Sequence, residues 1–106
     1  MAELDDDAHI EVLCTFEDVT PILQVVGDID LSTSPTLREA IHKATADRSG
    51  QVVFDLGEVT FMDSSGLAVL LEVAAKGTDV LLRSPSDTVR RVIETTGLSS
   101  TLRMQP

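Results

Sequence analysis

Three groups of side chains in this sequence have types and spacings that could do chemistry. They are the paired serines of "FMDSSGLAVLL" at 61–71, the acids Asp28 and Asp30 of "GDID", and a lone Cys14 with two separated histidines, His9 and His42. A serine beside a carboxylate suits a nucleophile, a helix cap or a site of covalent modification. Acyl transfer fits poorly. A nucleophile elbow needs glycine two positions either side of the serine, but Met62 and Asp63 precede the pair and Gly66 directly follows Ser65. The histidine would have to be His9 or His42, neither on an expected catalytic loop. No G-x-x-x-x-G-K phosphate loop is present. One cysteine and two distant histidines offer no zinc spacing, and an oxygen-ligand metal site does not follow from three loop acids, Asp28, Asp30 and Asp63. The sequence therefore reads as non-enzymatic, with no cofactor and no metal.

What "DSSG" offers instead is a helix start. Asp63 or Ser64 can accept a hydrogen bond from a free amide of the first turn. That leaves Ser65 in the same turn, near the surface, with no capping duty. A phosphoryl group there would lie at the positive end of the helix dipole, worth about 0.3–1 kcal/mol, so the domain should tolerate it without unfolding.

The elements that must position these residues follow from hydrophobic spacing. "IEVLCTF" at 10–16 alternates, with Ile10, Val12, Cys14 and Phe16 on one side, which is strand period. In that setting Cys14 is expected to be a buried structural thiol. "TPILQVVG" forms the second arm of an antiparallel hairpin. In "DIDLSTSPTLREAIHKATADRSG", Thr33 or Ser34 can cap a helix, Pro35 is tolerated in its first turn and Gly50 supplies a stop. Leu37, Ala40, Ile41 and Ala44 form its apolar face, and His42 is a surface position. "QVVFDL" at 51–56 reads as a central strand with helices on both sides.

The motif helix runs from about Ser64 to Lys76. Only Glu72 is charged between Leu67 and Ala75. A helix apolar all round is either covered on both sides or a binding surface, and since complete cover is difficult in one small domain, a partner face is expected. "DVLLR" is a further strand. In "SPSDTVRRVIETTG", Ser84 or Ser86 is the cap, Val89, Val92 and Ile93 point inward, and Gly97 is the stop. The order predicts an α/β domain with a mixed sheet whose later strands run parallel. These β-rich runs separate it from all-helical acyl-carrier proteins, another class of small acidic domain with an Asp-Ser pair.

With 106 residues the chain suits one domain, able to bury roughly two thirds of its unfolded surface. We divide it into an acidic tail at 1–8 and a folded domain at 9–106. The stretch Met1 to Asp7 has four acids, no basic residue and no apolar core, the opposite of a secretory signal. No apolar run is long enough to span a bilayer, and a single cysteine allows no internal disulfide, so a cytoplasmic protein is expected. A net charge of −10 argues against nucleic acid and direct membrane binding, and favours simple solubility or basic protein surfaces as partners.

"VVFDLGEVTFMDSSGLAVLL" resembles the signature of STAS domains, in particular the bacterial anti-sigma-factor antagonists. The likeness extends to "GDIDLSTSPTLREAI" before it and "VRRVIETTGL" after it, and covers nearly the whole chain. It implies a mixed sheet flanked by helices. It also implies that Ser65 is phosphorylated by a partner that is both anti-sigma factor and serine kinase, with a serine phosphatase reversing the step. The unphosphorylated form would bind the anti-sigma factor and free a sigma factor. By the same resemblance the partner surface comprises Asp28 and Asp30, in the loop after the second strand, with Asp63, Ser64, Ser65, Gly66, Leu67 and Ala68. Relatives often have a longer, more basic helix here, whereas this one reaches Gly77 with only Lys76. The competing reading is an unphosphorylated STAS module of another assembly, such as a lipid-transport or stress-sensing complex, and the phosphorylatable serine favours the antagonist.

Overall fold

The computed structural model describes residues 10–46 and 50–106. The expected acidic tail at 1–8 and His9 lie outside the described residues. Five strands form one sheet in the order β1-β2-β3-β4-β5. They are β1 (Ile10–Glu17), β2 (Thr20–Ile29), β3 (Gln51–Met62), β4 (Asp79–Arg83) and β5 (Arg103–Gln105), with helices α1 (Ser34–Thr45), α2 (Ser64–Ala75) and α3 (Asp87–Thr96) between them. The first two strands are antiparallel and the later pairs parallel, as the sequence predicts.

The hairpin closes through Asp18 and Val19, with Glu17 paired to Thr20 and Asp18 in the left-handed region at φ 58°. Asp is one of the few side chains that tolerates that region in a two-residue turn. Further along, β3 is twice as long as the sequence suggests. It does not stop at Leu56 but continues to Met62 beside β2, with register shifts between Gln24 and Val26 and between Gly27 and Asp28. These bulges interrupt the alternation that would have marked residues 57–62 as strand. They also bring Asp28 opposite Phe61 and Ile29 opposite Met62.

Each parallel connection moves one place in the same direction along the sheet. Right-handed crossovers then put every helix on one face. The core confirms this: Leu37 and Ile41 of α1, Leu67 and Leu70 of α2, and Val89 and Ile93 of α3 join one cluster with Leu23, Phe54 and Leu82 of the sheet. The expectation of helices on both sides of β3 is therefore corrected. Ile22 and Val53 alternate with the core residues and lie outside that cluster, on the open face, yet are only 6% and 2% exposed. An ion pair between Arg83 of β4 and Glu17 of β1, at 3.5 Å, runs diagonally over this row and shields it. The arginine's aliphatic stem does the covering while its charged end stays in water.

Cys14 is exposed, which corrects the expectation of a buried thiol. It does face the helix side with Val12 and Phe16, but β1 is an edge strand. Those side chains share an open groove with Ala40 and Lys43 of α1 instead of a closed core. His42 is exposed, as expected. The first helix ends at Thr45, and Gly50 precedes β3 instead of stopping it. The third helix starts on Ser86, whose hydroxyl accepts from the Val89 N–H at 3.3 Å. It stops on Gly97 at φ 75°, where a residue with a Cβ would be strained.

Among Gly50, Gly57, Gly66, Gly77 and Gly97, the least room for a side chain is at Gly66. A Cβ there would stand 2.5 Å from Cγ2 of Ile29 and 2.9 Å from Cγ of Met62, so only glycine lets the first turn of α2 rest on the ends of β2 and β3. Overpacking of this kind costs about 1–3 kcal/mol, and alanine's better helix propensity returns about 1 kcal/mol at most. Gly66→Ala should therefore lower the melting temperature by several degrees in a thermal scan. An unchanged or raised value would show that this turn can slide away from Ile29.

Candidate functional site

The helix starts at Asp63, whose extended backbone turns the chain from β3 into α2. Its N–H donates to the Ile29 carbonyl at 3.2 Å, which ties the motif to the end of β2. Its Oδ1 accepts from the N–H of Ser65 at 2.8 Å and of Gly66 at 3.4 Å, so of the two capping candidates Asp63 is the one used. The same oxygen also accepts from the Ser65 hydroxyl at 2.6 Å. Ser65 is therefore not idle, as the sequence suggested. Its Oγ is held by the cap, and the residue is half-buried.

The remaining motif residues divide by burial. Ser64 and Ala68 are exposed, whereas Gly66 and Leu67 are buried in the core. Most of the apolar surface of α2 is spent inward, through Leu67, Val69, Leu70 and Val73, with Leu71 and Ala74 packed against the core, which corrects the expectation that this apolar run forms a partner face. Its outward strip is Ser64, Ala68, Glu72 and Ala75. Glu72 is taken by α1, where Arg38 donates to both of its carboxylate oxygens at 3.0 and 3.1 Å. The guanidinium hydrogen bond, helped by its charge, holds the Glu72 carboxyl below its ordinary pKa and raises that of Arg38.

Asp28 and Asp30 frame the same end of the sheet. Asp28 accepts from the Thr60 hydroxyl on the neighbouring strand. Asp30 organises the loop into α1: its Oδ1 accepts from the Ser32 hydroxyl at 2.8 Å, the Ser32 N–H at 3.0 Å and the Thr33 N–H at 3.1 Å. Thr33 occupies the cap position of α1 but makes no side-chain cap bond. Its hydroxyl instead accepts from the Asp30 N–H at 2.9 Å and donates to the Asp28 carbonyl at 2.8 Å. Asp30 is thus occupied by its own loop, whereas Asp28, expected in that loop, lies inside β2 and is engaged by β3. Among the described residues no three of His, Cys, Asp or Glu gather as a metal-ligand set.

Two residues at this end were not marked by the sequence. Leu31, 78% exposed, stands at the crest of the Asp30 loop, and Phe61, 46% exposed, lies two positions before Asp63. An apolar side chain between Asp30 and Ser32, with no helical or strand partner in the pattern, was the available signal. Leu31 follows the end of β2 that α2 begins against, whereas Phe61 alternates with core Met62 and lies with Asp28 on the open face of the sheet.

The Ser32 hydroxyl bond is the chief cause that lowers the Asp30 pKa, joined by the backbone N–H groups of Thr33 and Ser32 and opposed by desolvation. A depressed folded value means that the carboxylate stabilises the loop above its ordinary pKa of 3.8 and loses that contribution as pH falls through the folded value. Asp30→Asn keeps an acceptor oxygen but not the charge. Urea melts should show the variant less stable than the parent at neutral pH, with the gap closing in strong acid. A gap that persists in acid would assign the effect to shape instead of charge.

The described residues contain no helix long and apolar enough to cross a membrane. The STAS domain family model matches residues 12–106. Among curated relatives, the anti-sigma-F factor antagonist RsfB of Mycobacterium tuberculosis is 36% identical over 86 residues, covering 78% of this chain and 70% of the relative. The anti-sigma-B factor antagonist of Listeria monocytogenes is 32% identical over 85 residues, covering 76% and 75%. The crystal structure of an anti-sigma factor antagonist from Mycobacterium paratuberculosis superposes with a TM-score of 0.83 at 33% identity, covering 92% of this chain and 86% of that one. With the family match running from within β1 to the last residue, and with this sheet order, the chain belongs to the STAS domain family.

Proposed function

We propose that this protein is an anti-sigma-factor antagonist. It binds an anti-sigma factor that is also a serine kinase, thereby releases a sigma factor, and is switched off by phosphorylation of Ser65. A serine phosphatase restores it, and all of this takes place in the cytoplasm. The observation that carries the reading is the placement of Ser65: a partly exposed residue whose hydroxyl is fixed at a helix start, one turn from exposed Ala68 and at the sheet end where exposed Leu31 follows β2. The names of the curated relatives point the same way.

Chemistry at this position makes a local switch. A phosphorylated Ser65 has no hydroxyl proton to give Asp63, and the 2.6 Å contact would become one between two anions. The phosphoryl group, carrying about −1.5 to −2 charges, must therefore turn outward, toward the surface a partner would cover. The helix dipole still favours it, so the fold is kept. In a complex, however, the dianion must be desolvated, and a misplaced charge at an interface costs several kcal/mol. A cost of about 3 kcal/mol weakens binding more than a hundredfold.

Intact-mass analysis of wild type and Ser65→Ala after incubation with ATP and lysate of the native host tests the modification. One phosphate on wild type and none on the variant is expected. No phosphate on either, with a control antagonist modified in the same lysate, would leave an unphosphorylated binding module. Ser65→Glu should weaken binding to the anti-sigma factor while leaving the thermal melt nearly unchanged; equal affinity for both forms would sink the switch. Ala68→Lys, at an exposed position on α2, should also lower affinity without unfolding the domain, and a misfolded variant would place that side in the core.

A further inference from the structure

We propose that β1 is a self-association edge, at which a second copy of this chain adds its own β1 antiparallel to form one continuous sheet across a twofold axis. The inference is independent of the function of Ser65.

The two edges of the sheet differ. The β5 edge is three residues long, carries Arg103 and is followed by Pro106, all features that discourage strand addition. The β1 edge is eight residues long and pairs with β2 in unbroken register. It contains no Lys, Arg or Pro, and it presents Leu13, 54% exposed, on the open face of the sheet. Among the described residues no strand lies on its outer side. Between Glu11 and Glu17 the edge carries no charge, and a long edge lacking Lys, Arg, Pro and bulges is a template for another strand.

Geometry and charge select one register. The two-residue turn makes Glu17 and Thr20 the hydrogen-bonded pair that closes the hairpin. By alternation Glu11, Leu13 and Thr15 bond inward to β2, and the backbone groups of Val12 and Cys14 point outward. A twofold axis through Leu13 then sets Val12 against Cys14 of the second copy as hydrogen-bonded pairs. Leu13 meets its own counterpart in the closer, non-hydrogen-bonded position. Glu11 falls opposite Thr15. An axis through Cys14 would oppose Glu11 to Glu17 twice, and one through Val12 would shorten the overlap. The strand pattern therefore favours pairing on Leu13.

The net charge of −10 on each copy opposes association at low ionic strength, and salt screens it. Dimerisation should thus strengthen as salt rises, the reverse of an interface held by opposite charges. The contact is one strand wide, so it belongs to the weak, concentration-dependent class of interfaces.

Sedimentation equilibrium of the full chain, from micromolar to millimolar concentration at low and high salt, measures the association. The weight-average mass should climb toward twice the chain mass at high salt, while Leu13→Lys stays at the chain mass with an unchanged melt. The register is read by oxidation. In a Cys14→Ser background, Leu13→Cys should give several-fold more disulfide-linked dimer than Thr15→Cys, whose counterpart is then Glu11. A wild-type chain that remains monomeric at high salt, or equal cross-linking by the two cysteine variants, overturns the proposal.

Discussion

The contact on which the arrangement depends is the close approach of the first turn of α2 to the ends of β2 and β3. Gly66 allows it, because a side chain there would collide with Ile29 and Met62. The approach also lets the Asp63 N–H reach the Ile29 carbonyl, which fixes where the helix begins. From that point the rest follows: Asp63 is turned so that its carboxylate closes over the first-turn amides, and Ser65 is held by the same oxygen. The two bulges along β2 and β3 serve the same end. Without the extra residues in β3, Met62 would not lie opposite Ile29 and the helix would start elsewhere.

A sheet with helices on one face only divides the molecule. One side is a continuous core; the other is a thin, polar surface whose apolar row is sheltered by the Arg83–Glu17 pair. An exposed ion pair contributes little to stability by its charges alone, so the value of this one lies in the aliphatic surface it lays over Ile22 and Val53. The end carrying Ser65 belongs to neither side. It is built from strand ends, the Asp30 loop and the start of α2, where backbone groups need side-chain partners. The carboxylates of Asp30 and Asp63 meet that need, while that of Asp28 ties β2 to the Thr60 hydroxyl of β3, so the acids that make the site electronegative also hold its frame in place.

Much of this was legible in the sequence, for identifiable reasons. Alternation gave the hairpin, and helical spacing with Ser86 and Gly97 gave α3 its limits. "FMDSSGL" located the start of α2 because capping residues precede an apolar run. What was lost depended on context that a linear pattern does not hold. The second half of β3 was missed because bulges break period two. Cys14 was expected inside because alternation reports which face a residue is on, not whether that face is covered at the edge of a sheet. Helices on both faces of β3 were expected because "QVVFDL" is apolar on both sides, and the shelter given to Val53 by an arginine from another strand has no sequence signature. Leu31 was overlooked because an isolated apolar residue in a loop is ordinarily unremarked, and only its 78% exposure beside the site gives it meaning.

The charge balance constrains how a switch at Ser65 has to work. The protein already carries −10, and a partner drawn to its acidic rim would present basic groups. Adding about −1.5 to −2 charges then increases the long-range attraction slightly, over a range limited to about 8–10 Å by salt. A block to binding cannot arise from that distance. It must come from contact: the dianion has to shed water on entering the interface, and the hydroxyl proton that Asp63 holds at 2.6 Å is gone. A switch of this kind leaves encounter with the partner almost unaffected and shortens the life of the complex, because the penalty is felt only once the surfaces are in register.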